Sequence, residues 1–206
     1  MADAGLLPEA GVELLDGEIV ETRNDGTVHR RRFTADEYLR LAELAILDED
    51  EPVELVGGEV VTMSPDGDAH AKAVRRLTAA LVLAYAPAGF EVGVQSTHRA
   101  GPNDMPEPDL CVAPETPGLV QVSDSILVVE VADTSLSTDR GRKRRLYAGA
   151  GAPRYWIVEI PDRQVRVLEE PDGEDYRAER LVKEGEGLSL PVVGSPVEVT
   201  ALLPPR

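Results

Sequence analysis

The run ILVVEVA at residues 126–132 constrains the fold more than any other stretch of this chain. Apolar side chains stand at both odd and even positions, so an extended backbone here points apolar groups to both sides of a sheet. Such a strand is buried on both faces, as a central strand is when helices cover the sheet. Glu130 interrupts the run with a carboxylate between apolar neighbours. A buried carboxylate needs a cation or strong hydrogen bonds. Within a dozen residues comes a basic stretch, RGRKRR at 140–145.

The segments around this strand alternate in type. FTADEYLRLAEL opens with Thr34 and carries Glu37 three residues on, a capping-box pattern that predicts a short helix. SPDGD is a turn, and Asp68 is placed to cap a longer helix running to about Tyr85, with Val74, Leu77, Leu81 and Ala84 on one face. FEVGV, DLCVA, ILVVEVA and RYWIVEI read as strands. TDRGRKRRLYAGAG reads as a helix, with Thr138 as its N-cap and Gly149 and Gly151 as its stop. VRVLEE and the segments after PDGEDY complete the strands. This order predicts an α/β fold with a mixed central sheet flanked by helices.

Two stretches resemble one another: VELLDGEIV at 12–20 and VELVGGEVV at 53–61. Each reads as a tight hairpin around glycine. The first is a strand pair added to a sheet edge or a coincidence of turn chemistry. Residues 1–30 are expected to form an N-terminal extension and 31–206 a single domain, with further hairpins towards the C-terminus.

Charge narrows the partners. Asp and Glu number 38 against 21 Lys and Arg, a net charge of −17. A polyanion is repelled by such a chain unless cations gather on one face. HRRR at 29–32, KAVRR at 72–76 and RGRKRR are the places where they gather. No apolar run approaches the ~20 residues of a membrane span, and the opening MADAGLLPEAG lacks a basic, apolar leader. A cytoplasmic protein without a membrane partner is expected. Cys111, the single cysteine, reads as a small buried side chain.

The chemistry gathers around two acids. Asp109 begins one apolar strand, directly after Pro108, and Glu130 lies near the end of the next. Acids at neighbouring ends of adjacent core strands converge, and converging carboxylates repel unless a cation joins them. A hard ion such as Mg2+ is the natural partner, held by one or two carboxylates with waters completing its shell. Lys143, on the helix leaving the third strand, is placed to orient an attacking water and offset charge on a phosphate. Its ordinary alternative is a solvated helix face among Arg140, Arg142, Arg144 and Arg145.

EPDLCVAP, followed by ILVVEVADTSLSTDRGRKRRLYAGAGAPRYWIVEI, resembles the Uma-type putative restriction endonuclease family of the PD-(D/E)xK nuclease superfamily. VELVGGEVVTMSP and DAHAKAV are similar to that family's opening hairpin and His-bearing helix. The resemblance runs from about FTADEYL through YWIVEI and more weakly beyond. It implies a restriction-endonuclease-like core and Mg2+-dependent phosphodiester hydrolysis, with Mn2+ as a substitute ion. Asp109 matches the aspartate of the PD motif and Glu130 the second metal carboxylate. The superfamily's usual lysine position, two residues after Glu130, is Ala132 here; Lys143 matches the lysine this family carries on the following helix. DNA is the implied partner, and a homodimer would serve cleavage of both strands.

Other polar residues carry weaker expectations. Glu54 and Glu59 flank a hairpin turn, where surface or local bonding is the ordinary role, although either could supply an outer ligand. His70, in the first turn of its helix, reads as a packing or capping residue before a general base. Glu107 could substitute for a metal ligand but belongs to a loop, and Asp139 favours a helix N-terminus through the dipole. Tyr155 and Trp156 read as core. Two other functions stay open: a catalytically inactive nuclease-fold module that binds or oligomerises, and a hydrolase of smaller phosphate esters.

Overall fold

A computed structural model describes residues 12–15, 18–22, 24–47, 52–63 and 67–206. Its contacts sort the chain into two units, residues 1–64 with 101–105, and residues 65–100 with 106–206.

In the first unit, β1 (Val12–Leu15), β2 (Glu18–Thr22) and β3 (Val28–Arg30) form an antiparallel sheet of three. Helix α1 (Ala35–Glu43) follows, then the hairpin of β4 (Val53–Val56) and β5 (Glu59–Thr62). The two similar stretches are therefore both hairpins. In each, the pairing closes across two residues, Leu15↔Glu18 and Val56↔Glu59; the first is extended by the strand β3 and the second by a bridge, Leu55↔Met105. Gly57 and Gly58 turn the second hairpin with φ of 59° and 80°, the doubly left-handed turn that glycine favours. A Cβ on Gly58 would meet Arg32 Cβ at 2.8 Å, so this position also excludes side chains on space. The capping box forms: the Glu37 amide donates to Thr34 Oγ1 (3.2 Å) and the Thr34 amide to Glu37 Oε2 (2.9 Å). Helix α1 buries Ala35, Tyr38 and Leu41 in a small core with Phe33, Leu55 and Met105.

The second unit is built on helix α2 (Asp68–Tyr85) and six strands, β6 (Phe90–Val94), β7 (Leu110–Pro114), β8 (Leu127–Ala132), β9 (Arg154–Glu159), β10 (Gln164–Asp172) and β11 (Asp175–Lys183). Their order is β11-β10-β9-β8-β7-β6, and all neighbours are antiparallel except the β8–β9 pair. A parallel pair needs a crossover, supplied here by α3 (Leu136–Thr138), a π-helical segment (Asp139–Lys143) and α4 (Arg144–Gly149). All six residues of β8 are buried. Alternate residues divide between two cores: Leu127, Val129 and Val131 pack with α2, and Val128 and Ala132 pack with Tyr147 of α4. A C-terminal hairpin, β12 (Gly187–Ser189) with β13 (Pro196–Glu198), and α5 (Val199–Leu202) add Leu188, Val199 and Leu202 to the α2 side.

Two expected caps fall elsewhere. Gly67 is the N-cap of α2, and Asp68 is its first helical residue, paired with Lys72 one turn on. Thr138 lies inside the crossover helix, which starts after Ser135; the hydroxyl of Ser135 donates to Asp139 Oδ2 (2.6 Å). Both shifts move a helix start by one to three residues, because several short polar residues in a row offer competing caps.

Candidate active site

Asp109 stands immediately before β7, whose pairing with β8 starts at Leu110↔Val129. One step further along that register, Asp109 faces Glu130. The Asp109 side chain takes over the ladder there: its Oδ2 accepts the Val131 amide at 2.7 Å. The same oxygen lies 3.1 Å from His70 Nε2. Where the carboxylate is ionised it only accepts, and the contact then takes the imidazole proton on Nε2. His70 comes from α2, on the opposite side of the sheet from the crossover helix.

Glu130 shares its sheet face with Val128 and Ala132 and looks towards the crossover helix. Lys143 Nζ donates to its Oε1 at 2.9 Å, and the Tyr147 hydroxyl donates to the same oxygen at 2.6 Å. Lys143 ends the π-helical segment. That i→i+5 bonding makes a wider turn than an α-helix, and its two buried positions, Asp139 and Lys143, lie four residues apart. The expected alternative for Lys143, a solvated helix face, does not hold, since only 9% of the residue is exposed. Asp139 is also buried, in the first turn of the π-helical segment.

The electrostatics of Glu130 follow from this packing. Burial pushes its carboxyl well above the usual carboxylate range, and the charges of Asp109 and Asp139 push the same way. Lys143 and the Tyr147 hydroxyl oppose the rise without cancelling it.

Two further cations of the basic stretch are engaged by acids. Arg140 binds Glu159 (2.6 Å) and lies 3.5 Å from Asp162, while Arg144 binds Asp175 (2.6 Å) and Glu179 (2.8 Å). Arg166 joins Glu159 (2.7 Å) to Glu179. RGRKRR is therefore divided: Arg140, Lys143 and Arg144 are tied to acids, while Arg145 is exposed. Glu107 accepts from Thr97 Oγ1 (2.8 Å), a tie within its own loop. Glu54 and Glu59 belong to β4 and β5 of the first unit, where Glu59 pairs with Arg32 at 3.2 Å. Tyr155, Trp156 and Cys111 are core residues.

Tyr147 and Glu159 are missing from any reading of motifs. For Tyr147 a signal existed: it follows Lys143 by four residues, the spacing that puts two side chains on one helix face.

Among the described residues, no group of three or more His, Cys, Asp or Glu side chains could hold a metal ion by itself. The donor set nevertheless suits a hard cation that keeps its waters. The hydrogen bonds to Asp109 fall on Oδ2 and those to Glu130 on Oε1. Mg2+ is commonly held by one or two carboxylates.

Sheet order, the single parallel pair and the flanking helices make a mixed α/β fold of the nuclease-like, restriction-endonuclease type. A putative nuclease belonging to DUF820 from Anabaena variabilis shares it, with a TM-score of 0.67 at 15% identity, over 82% of this chain and 97% of that one. The chain belongs to the Uma2 family, described as "Putative restriction endonuclease", whose sequence profile matches residues 35–201. The type IIG restriction endonuclease BpuSI is similar only at a TM-score of 0.36 and 16% identity, over 52% of this chain and 12% of its own. None of the curated proteins matches. Among the described residues, no helix is long and apolar enough to cross a membrane.

Proposed function

We propose that this chain is an endonuclease that hydrolyses DNA phosphodiester bonds with a divalent cation, Mg2+ or in its place Mn2+. One observation carries the reading: two buried acids, Asp109 and Glu130, meet at adjacent strand ends, and Lys143 reaches the second of them. Asp109 and Glu130 are the residues that would hold the ion. Such an ion, when bound, lowers the pKa of a water and neutralises charge on the phosphate. Lys143, through its ammonium group, orients the attacking water and offsets charge developing on the phosphoryl oxygens. His70 and the Val131 amide together keep Asp109 from turning, so His70 acts on position rather than on a proton. The proposed setting is the cytoplasm, and a homodimer would bring one such site to each DNA strand.

The test is calorimetric titration with Mn2+ alongside cleavage of plasmid DNA. Asp109→Ala and Glu130→Ala should each abolish saturable binding and cleavage. Lys143→Ala should keep the ion and lose rate by about 10²–10³-fold, the scale of one lost charge-stabilising donor. Equal Mn2+ binding in the wild type and both acid variants would sink the metal site.

One observation favours a second reading, a nuclease-fold module that binds without cutting. Arg140, Arg144 and Arg166 are engaged by acids of the same sheet, which leaves a chain of net charge −17 few cations to grip a duplex. A low-salt mobility-shift assay that finds DNA binding, with no cleavage under any divalent ion, would select it.

A further inference from the structure

The Tyr147 hydroxyl donates to a site acid from inside the core. Its ring is fully buried and belongs to the core beside Val128, Ala132 and Ile157. A buried phenol needs one hydrogen-bond partner, and here that partner is Glu130 Oε1 at 2.6 Å. The ring is held from behind by Tyr155, 4.9 Å away between centroids, and Tyr155 is held in turn by Tyr176 at 6.3 Å. The Tyr155 hydroxyl donates to the Asp139 carbonyl (3.2 Å), fixing the start of the π-helical segment. Lys143, by contrast, reaches the same Glu130 oxygen on a long flexible stem.

We infer that Tyr147 is a positioning residue for the cation site, holding Oε1 of Glu130 so that Oε2 faces the ion. This rests on the metal reading of Asp109 and Glu130. A rigid ring on a stack of tyrosines fixes the rotation of the carboxylate, which the ammonium of Lys143 alone does not. Groups that orient a ligating carboxylate in this way are worth about 10–100-fold in metal affinity.

Tyr147→Phe keeps the ring and removes the one bond in question. Titration of the full chain with Mn2+ should show a dissociation constant raised ~10–100-fold. The Mn2+ concentration giving half-maximal cleavage should rise by the same factor, with the rate recovering towards wild type at saturation. A purely structural tyrosine would not split affinity from rate in this way. Unchanged Mn2+ affinity in Tyr147→Phe, with affinity lost in Glu130→Ala, overturns the role of Tyr147 and leaves the metal site standing. No Mn2+ binding by the wild type overturns both. A Tyr147→Phe chain that fails to fold assigns the hydroxyl to the core and also overturns the proposal.

Discussion

Glu130 and Glu159 stand on adjacent strands, face the same helix and are closed to solvent, yet their chemistry runs in opposite directions. In the parallel pairing of β8 with β9, Glu130 lies opposite Ile157 and Ala132 opposite Glu159, so the two acids are one alternation apart. Their cations come from the same π-helical segment, Lys143 for Glu130 and Arg140 for Glu159. The difference is in how far each is compensated. Burial drives Glu159 upward, but donors on Arg140, Gln164 and Arg166 outweigh it and hold its carboxyl below the ordinary range. Glu130 has one ammonium and one phenol, two acidic neighbours, and a carboxyl raised well above that range. A carboxylate saturated by fork-shaped donors is a structural tie; one left short of positive charge is held towards its neutral form. Both side chains are closed to solvent, but Glu130 lies deeper in the packed interior, so depth of burial and the set of partners together separate them.

The largest expected effect breaks the saturated member. Glu159→Ala leaves Arg140 and Arg166 facing one another without their shared anion, and removing one partner of a buried ion pair costs several kcal/mol. The Arg140 side chain keeps 38% of its surface exposed, and solvent takes up part of the freed charge. The expected loss is therefore at the lower end, about 3 kcal/mol in urea denaturation. Glu159→Gln retains hydrogen bonding and should lose less. A Glu159→Ala chain as stable as wild type would mean that the network contributes nothing and the contrast with Glu130 is empty.

A smaller effect appears as two opposite slopes of stability against pH, each bounded by about 1.4 kcal/mol per pH unit for one proton. Both acids have an ordinary value of 4.5. Glu130 is raised in the fold, so the native state binds more protons than the unfolded chain above that value. Its contribution is fully present below pH 4.5 and is lost as the pH rises through the raised value. Glu159 is lowered, so its contribution is present above pH 4.5 and lost as the pH falls through the lowered value. With chelator present, wild type should lose ground to Glu130→Gln as the pH climbs from 4.5. Against Glu159→Gln it should lose ground as the pH drops below 4.5, along the shallower limb because Arg140 is partly solvated. Parallel slopes for the two variants would contradict the assignment of opposite shifts.

The same pair shows which parts of the fold and site were legible in sequence. The run ILVVEVA announces its own burial, because only a doubly covered strand tolerates apolar groups at every position. Thr34 and Glu37 announce a helix start, because the capping box is local. Asp109 and Glu130 stood out as acids at the ends of apolar strands, and a side chain next to the antiparallel register of β7 and β8 meets its neighbour across the ladder. Arg140 and Lys143 look alike in sequence but part company in space, since their acids lie on different strands and are sorted only when the sheet assembles. The irregularity that separates them, the π-helical turn at Asp139–Lys143, has no spelling of its own. Glu159 reads as the polar end of a strand; its two arginines arrive from 19 residues before it and 7 after it.

The smallest effect is the sharpest test of whether Glu130 serves the fold or a ligand. Replacing a buried ion pair by uncharged groups of similar volume is often neutral or stabilising, because both desolvation penalties vanish together. Glu130→Gln combined with Lys143→Met removes the charge pair while keeping the chain lengths, and the carbonyl oxygen of the introduced amide can still accept from Tyr147. Asp109 retains the Val131 amide and His70. The double variant should match wild type to within about 1 kcal/mol in the presence of chelator, while binding no Mn2+. The equivalent change at the neighbouring site, Glu159→Gln with Arg140→Met, leaves Arg166 with only Glu179 and should fall clearly below wild type. Stability lost equally at both sites would make Glu130 one more structural tie, whereas a silent loss at Glu130 means that its buried charge is maintained for something other than the fold.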